Sequence, residues 1–127
     1  QVRDLGTITP TREEIIAFAS QFDPQPFHLN DEAAKASVFG ALSASGWHTC
    51  AMAMRMMCDH FIPTESALGS PGVDQLRWLL PVRPGETAEV GSTRTQPRPS
   101  SQTSVQACAS LCRITQKPST VLRSPPW

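Results

Sequence analysis

The pattern of apolar and polar residues predicts a helix that begins at about Thr11. Thr11 and Glu14 have the spacing of a capping box, in which a hydroxyl and a carboxylate accept hydrogen bonds from backbone N–H groups of the first turn. Apolar residues then recur at helical spacing, and the helix should end near Phe22, before two prolines. The apolar residues of this helix are Ile15, Ile16, Phe18 and Ala19. Upstream, residues 1–8 form a short mixed segment whose Val2, Leu5 and Ile8 can reach the core edge.

Two further helices are predicted before residue 62. Residues 30–36 form a short helix with Asn30 or Asp31 as the capping residue. A run of small residues from Val38 to Ser45 would let the backbone approach another group closely. From Trp47 to Phe61 the chain is apolar on nearly every side, which predicts a helix buried all round. This run is shorter than the roughly 20 residues that a membrane span needs.

The second half of the chain has the composition of strands. Candidate strands cover residues 73–80, 87–95 and 104–115, and residues 120–123 begin a possible last one. A Pro- and Gly-containing turn, residues 81–86, separates the first two. Strands gathered after a buried helix predict an α+β fold with an antiparallel sheet, because no strand–helix alternation is present.

Composition narrows the range of functions. With 127 residues the chain is predicted to be one domain, residues 1–127. Its formal net charge of zero and 17% charged residues provide no basic excess for nucleic acid or for an anionic membrane. The N-terminal residues are polar and charged rather than those of a secretory signal, so we expect a cytoplasmic protein.

Four cysteines raise the question of a metal site or a disulfide. No two of the cysteines have C-x-x-C spacing; they are Cys50, Cys58, Cys108 and Cys112. Cys58 and His60 would point in different directions on a helix, so they would not bind one metal together. We therefore expect free, buried thiols and no metal.

Asp23 and His28 are the main candidates for chemistry. Pro24 and Pro26 stand between them and predict a stiff, extended turn that would hold a carboxylate and an imidazole at a fixed separation. Such a pair suits general acid–base catalysis. The structural alternative is that Asp23 caps backbone amides and His28 is a hydrogen-bonded polar residue.

The segment from Asp23 to His28, DPQPFH, resembles the D-x-N-P-x-H signature of MaoC-like dehydratases, a family that includes (R)-specific enoyl-CoA hydratases. The likeness continues through Ser45-Gly46, where the family often has His-Gly, to the segment LRWL and the turn PVRPGE at residues 76–79 and 81–86. It covers about residues 9–90. Gln25 stands where the family usually has Asn, and the chain from about residue 96 matches poorly.

The resemblance implies a hot-dog fold, in which a curled antiparallel sheet wraps one long central helix. It also implies pairing into a homodimer or a higher homo-oligomer. The implied substrate is a trans-2-enoyl thioester of the acyl-CoA type, to which water adds reversibly. Coenzyme A would then be part of the substrate, and no other cofactor is expected.

Site residues follow from the same resemblance. Asp23 would act as the general base, and His28 would bind and orient the attacking water. Negative charge on the thioester oxygen would be stabilised near the start of the central helix, by the backbone N–H groups of Gly46 and Trp47, with Ser45 beside them. Phe27, Trp78 and Leu79 are the candidates for lining an acyl channel.

Two alternatives remain open. A hot-dog thioesterase would also use a carboxylate and water, but it would attack the thioester carbonyl. A non-catalytic subunit that binds acyl thioesters is the alternative from a different class, suggested by Gln25 and the atypical C-terminal part. The D-x-x-P-x-H spacing favours the hydratase.

Overall fold

The structure, a computed structural model, describes residues 2–60, 62–67, 73, 76–94 and 110–116. Within them the elements follow the order β1, α1, α2, α3, α4, a 3-10 turn, β2 and β3. Their bounds are β1 Val2–Ile8, α1 Arg12–Phe22, α2 Pro26–Leu29, α3 Asp31–Lys35, α4 Gly46–His60, the 3-10 turn Thr64–Ser66, β2 Ala88–Arg94 and β3 Ser110–Gln116.

The capping box confirms the predicted start of α1. The Glu14 N–H donates to Thr11 Oγ1 at 3.2 Å, and Glu14 Oε2 accepts from the Thr11 N–H at 3.1 Å. Ile15 and Ala19 are fully buried on the inner face. The Asp23 N–H donates to the Ala19 carbonyl at 2.9 Å and ends the helix. The next residue is Pro24, which disfavours helical geometry at Asp23. Asp23 is therefore placed by the C-terminal end of α1.

The turn from Asp23 to His28 is extended only in its first half. Gln25 is extended, with φ −79° and ψ 139°, as the two prolines predict. A short helix, α2, then begins at Pro26, so the prediction of an extended turn is wrong for Pro26–His28. Proline is tolerated at the first helical position because its missing N–H would have no partner there.

α3 follows directly, and Asn30 is its cap. The Asn30 side-chain oxygen accepts from the N–H groups of Glu32 at 2.8 Å and Ala33 at 3.1 Å. Of the two predicted capping residues, Asn30 is therefore the one used. Arg12 of α1 reaches Asp31 at 2.7 Å and ties the two helices together.

α4 forms where the apolar run predicts it, but it is not buried all round. Only His48, Met52 and Ala53 of this helix are buried, and Trp47 and Met54 are 58% and 48% exposed. Its inner face packs against β1, β2 and α1. The prediction of a helix covered on every side is thus wrong for the part of the chain that the structure describes.

β1 is a strand where the sequence indicates only a mixed segment. The pairing with β2 slips between Asp4 and Gly6, so the residues do not alternate cleanly. The Gly6 N–H donates to Asp4 Oδ1 at 2.8 Å, and Gly6 adopts φ +102°. A bulge with a glycine of positive φ interrupts the period of two that identifies a strand in a sequence.

The described sheet is antiparallel, as predicted, with the order β1-β2-β3. Ile8 pairs with Ala88, and Ala88 pairs with Gln116. β2 and β3 lie within or beside two of the predicted strands; residues 104–109 and 120–123 are outside the described residues. The strand predicted for residues 73–80 is wrong for its described part, because residues 73 and 76–80 have no regular secondary structure. The following turn is confirmed: Gly85 has φ +75°, and the Glu86 N–H donates to Arg83 O at 3.2 Å.

Two clusters of buried side chains hold these elements together. The first joins α1, α3 and α4 to the loop segments around them and consists of Ile15, Ala34, Leu42, Ala44, Met52 and Val82. The second lies between α4 and the sheet and consists of Leu5, Ala53 and Val90. Leu42 and Ala44 belong to the first cluster, so the residues just before α4 are anchored in the core.

Candidate active site

The site is built on the buried segment Leu42–Ser45, which leads into α4 and is called the bracing segment here. All four of its residues are buried, and Ser43 and Ser45 are fully so. The Ala44 N–H donates to the Val82 carbonyl at 2.7 Å, which fixes the segment against the chain that precedes β2. Small side chains allow this close approach of two backbones. Ser43 and Ser45, on either side of Ala44, each contact one of the two ionisable residues of the site.

His28 is held by the first of these serines. Its side chain is 7% exposed, and its Nδ1 lies 2.7 Å from the Ser43 carbonyl oxygen. A carbonyl oxygen only accepts, so Nδ1 carries the hydrogen. In the neutral ring Nε2 is then an acceptor. The rings of Phe27 and Phe39 pack on the imidazole at centroid distances of 4.6 and 6.0 Å.

Asp23 faces the other nitrogen of this ring. Asp23 Oδ2 lies 3.5 Å from His28 Nε2, and the Asp23 side chain is 24% exposed. The hydroxyl of Ser45 donates to the same oxygen at 2.6 Å. The pair predicted from the sequence is therefore brought together, with Nδ1 of the histidine and Oδ2 of the aspartate both fixed by the bracing segment.

A cavity of about 160 Å³ opens beside His28. It extends from the imidazole to the start of α4 at Gly46, and much of its lining is apolar. Its lining consists of His28, Phe39, Ser43, Ala44, Gly46, Thr49, Trp78, Leu79, Leu80, Pro81 and Val82. The cavity thus brings together an acid–base side chain, a helix N-terminus and apolar side chains, which are groups that ligand and catalytic sites commonly combine.

Trp78 covers the beginning of α4. Its indole N–H donates to the Gly46 carbonyl at 3.0 Å, and its ring meets the Trp47 ring edge-on at 5.4 Å. A Cβ atom at position 46 would overlap the Trp78 ring, so any other residue there would require the ring to move. The predicted residues Trp78, Leu79 and Gly46 all lie at the cavity.

The other predicted site residues lie elsewhere among the described residues. Phe27 packs against the first core cluster and the His28 ring. Trp47 is largely exposed, is not among the residues that line the cavity, and packs edge-on against Trp78, which is. Ser45, expected beside the thioester oxygen, is buried with its hydroxyl on Asp23.

Residues 1–111 match the family model described as a MaoC like domain. The chain belongs to the MaoC-like domain family. It is 35% identical to the crystallised MaoC-like dehydratase from Rhodospirillum rubrum, with a TM-score of 0.80 over 92% of this chain and 80% of that one. The (R)-hydratase from A. caviae involved in PHA biosynthesis is 22% identical, with a TM-score of 0.60 over 78% of this chain and 73% of that one, and is similar in fold.

The chain is also similar to the uncharacterized protein YdeM of Bacillus subtilis (strain 168), at 24% identity over 86 residues. These are 68% of this chain, and the chain spans 61% of the length of YdeM. The resemblance to MaoC-like dehydratases is confirmed by these matches, and the solved relatives have the hot-dog fold that it implies.

His48 is a further ionisable residue near this MaoC-like site. It lies in the first turn of α4 and stacks on Phe18 of α1, with ring centroids 4.6 Å apart and planes inclined by 9°. Burial lowers the pKa of His48, and the negative charge of Glu14 opposes part of that shift. The Nδ1 atom is buried without a hydrogen-bond partner among the described residues. The neutral ring is therefore the form that the fold favours.

Two contacts of the site could not be recognised in the sequence. The Ser43 carbonyl binds His28 through its backbone, so any residue type could supply it. The Ser45 hydroxyl bonds Asp23 across 22 residues of chain. For the Ser45 contact, the sequence contained one signal, which is that Ser45-Gly46 stands where the family usually has His-Gly. Among the described residues, no helix is long and apolar enough to cross a membrane, and no three His, Cys, Asp or Glu side chains form a metal cluster.

Proposed function

We propose that this MaoC-like domain catalyses the reversible addition of water to a trans-2-enoyl thioester of the acyl-CoA type. The observation that carries the proposal is the 3.5 Å separation of Asp23 Oδ2 and His28 Nε2 beside a cavity that ends at the N-terminus of α4. Hydration needs a base that takes a proton from water at C3 of the substrate. It also needs positive charge near the thioester oxygen. The membership in the MaoC-like family supports the same reaction class.

In this mechanism Asp23 and His28 bind one water between them. The Ser43 carbonyl accepts the hydrogen bond from Nδ1–H of His28. In the neutral ring, Nε2 then accepts a hydrogen bond from that water. Asp23 takes the other proton as the water oxygen attacks C3 of the enoyl group. The proton is then delivered to C2, which completes the addition.

The thioester oxygen gains negative charge when C3 is attacked. The first N–H groups of a helix have no partner within the helix, and the helix dipole places partial positive charge there. We assign this role to the backbone at Gly46 and Trp47. Gly46 is the first residue of α4 and lies at the cavity wall.

The remaining parts of the proposal concern the whole protein. The sheet curls around α4 as in the hot-dog relatives, and two copies pair as a homodimer. Phe39, Trp78 and Leu79 contact the acyl group in the cavity, and coenzyme A is bound only as part of the substrate. The reaction takes place in the cytoplasm and requires no metal or other cofactor.

The test is hydration of crotonyl-CoA by the purified protein, followed as loss of the conjugated thioester absorbance and as formation of 3-hydroxyacyl product. Asp23→Asn and His28→Ala should each reduce kcat/KM by about 100- to 10,000-fold, the usual contribution of a positioned acid or base. Asp59→Asn and His60→Ala make the same chemical changes at exposed positions near the end of α4 and should leave the rate unchanged.

Thiol release is measured in the same samples to separate the alternatives. Release of free coenzyme A without hydration would identify a thioesterase. Tight binding of acyl-CoA of several chain lengths without turnover would identify a binding subunit. Either result, or equal activity in the parent and both site variants, would contradict the proposed function.

A further inference from the structure

We propose that Ser45 is a positioning residue that fixes the Asp23 carboxylate for proton transfer and does not act on the substrate. The inference rests on the proposed function and deepens it. It assigns a task to the residue at which this chain departs from the His-Gly that is usual in the family. The observation that carries it is the 2.6 Å hydrogen bond from Ser45 Oγ to Asp23 Oδ2.

Asp23 needs an external support because its own surroundings hold it weakly. It follows the last residue of α1, its backbone has φ −152° and ψ 68°, and its side chain is 24% exposed. The 3.5 Å contact with His28 is too long for a strong hydrogen bond. Without another partner, the carboxylate would be free to rotate toward solvent.

Ser45 can provide that support because it is rigid. The residue is fully buried, belongs to the bracing segment and is followed at once by α4. Its neighbour Ala44 is held to Val82 by a 2.7 Å backbone hydrogen bond. A hydroxyl that donates to a carboxylate at 2.6 Å forms a charge-assisted bond, which is stronger than one between neutral groups. The orientation of Asp23 is thereby tied to the core.

The same bond argues against a role of the Ser45 side chain at the thioester oxygen. A serine hydroxyl has one hydrogen, and here that hydrogen is given to Asp23. Neither Ser45 nor Asp23 is among the residues that line the cavity, whereas Ala44 and Gly46, the neighbours of Ser45, lie at its wall. The hydroxyl therefore reaches the reaction only through Asp23.

Ser43 and Ser45 together give the bracing segment a combined role. Ser43 fixes Nδ1 of His28 through its carbonyl, and Ser45 fixes Oδ2 of Asp23 through its hydroxyl. Since the serines are separated by one residue of an anchored segment, the relative position of the two ionisable groups depends on a single piece of backbone. Loss of the Ser45 hydroxyl releases one side of the pair and leaves the other in place.

The experiment is a double-mutant cycle on crotonyl-CoA hydration with the full chain. Ser45→Ala should lower kcat by about 10- to 100-fold, the effect expected from a catalytic group displaced by about 1 Å, with KM nearly unchanged. In the Asp23→Asn background, the same substitution should have little further effect, because a positioning residue has nothing left to position. Ser45→Cys keeps a donor on the same side-chain atom, but the thiol is a weaker donor, and the variant should give an intermediate rate.

Ser20→Ala is the control. It removes another hydroxyl with a 2.7 Å hydrogen bond, to the Ile16 carbonyl, at an exposed position of α1. Its kcat should equal that of the parent, and circular dichroism with urea unfolding checks that every variant is folded. Equal kcat in Ser45→Ala and the parent, or a loss that multiplies fully with that of Asp23→Asn, would overturn the positioning role. An inactive parent would refute the proposed function itself, and the positioning role of Ser45 would fall with it.

Discussion

His48 lies in the first turn of α4 with its ring stacked on Phe18 of α1. Burial lowers its pKa in the folded chain from the ordinary value of 6.5, and Glu14 raises it by a smaller amount. The unfolded chain therefore binds more protons than the folded chain as the pH falls below about 6.5. Stability contributed by neutral His48 is fully present above that pH and is lost as the pH falls toward the folded pKa.

We expect the free energy of unfolding to decrease between about pH 7.5 and pH 5.5, and part of that decrease to disappear in His48→Gln. Urea unfolding of the parent and of His48→Gln at several pH values measures this free energy. His60→Gln is the control, since His60 is an exposed residue at the end of the same helix. If His48→Gln and the parent have parallel pH profiles, burial of His48 does not determine the acid sensitivity.

The pairing of Asp23 with His28 could be predicted from the sequence, but its supports could not. Both residues lie on a six-residue segment whose prolines restrict the backbone, so their proximity is a local property. Ser45 reaches Asp23 from a different part of the chain, and that contact exists only after α1 and the bracing segment have packed together. A single sequence contains no local signal for such a contact.

At the scale of elements, the start of α4 packs closely against Trp78 because residue 46 is a glycine. The Trp78 ring lies against Gly46, and a Cβ atom there would overlap it. Gly46→Ala should therefore destabilise the fold by about 1–3 kcal/mol, the usual cost of overpacking. Urea unfolding gives the value.

The sign of the effect should change when the tryptophan is removed. In a Trp78→Ala background there is no ring to overlap, and alanine has a higher helix propensity than glycine by about 1 kcal/mol. Gly46→Ala should then be neutral or stabilising. An equal loss of stability in both backgrounds would show that the Trp78 contact is not the reason for the glycine.

Elements defined by local chemistry are the ones that the sequence predicts well. The capping box of α1 and the Asn30 cap need only a few neighbouring residues, and both are present. Strands depend more on their partners. β1 was missed because its bulge at Asp4–Gly6 breaks the alternation, and Leu76–Leu79 has the composition of a strand without strand geometry.

At the scale of the whole molecule, α4 presents an apolar stripe that the described residues leave uncovered. Trp47, Ala51, Met54 and Cys58 are all exposed, and their spacing of four, three and four residues places them on one face of the helix. Membership in the MaoC-like family does not by itself say what covers this stripe. The sequence predicted burial on every side because it shows that the residues are apolar, and it does not show which neighbour covers each face.

We expect a second copy of the chain to cover part of this stripe in the proposed homodimer. Sedimentation equilibrium should give twice the mass of the chain at micromolar concentration, because burial of apolar surface contributes about 25 cal/mol per Å². Met54→Glu places a charge in the middle of the stripe and should shift the protein toward monomer. Ala17→Glu adds the same charge at an exposed position of α1 and should remain dimeric. A parent that sediments as a monomer at every concentration would contradict the dimer, whereas a dimer unaffected by Met54→Glu would place its interface on another surface.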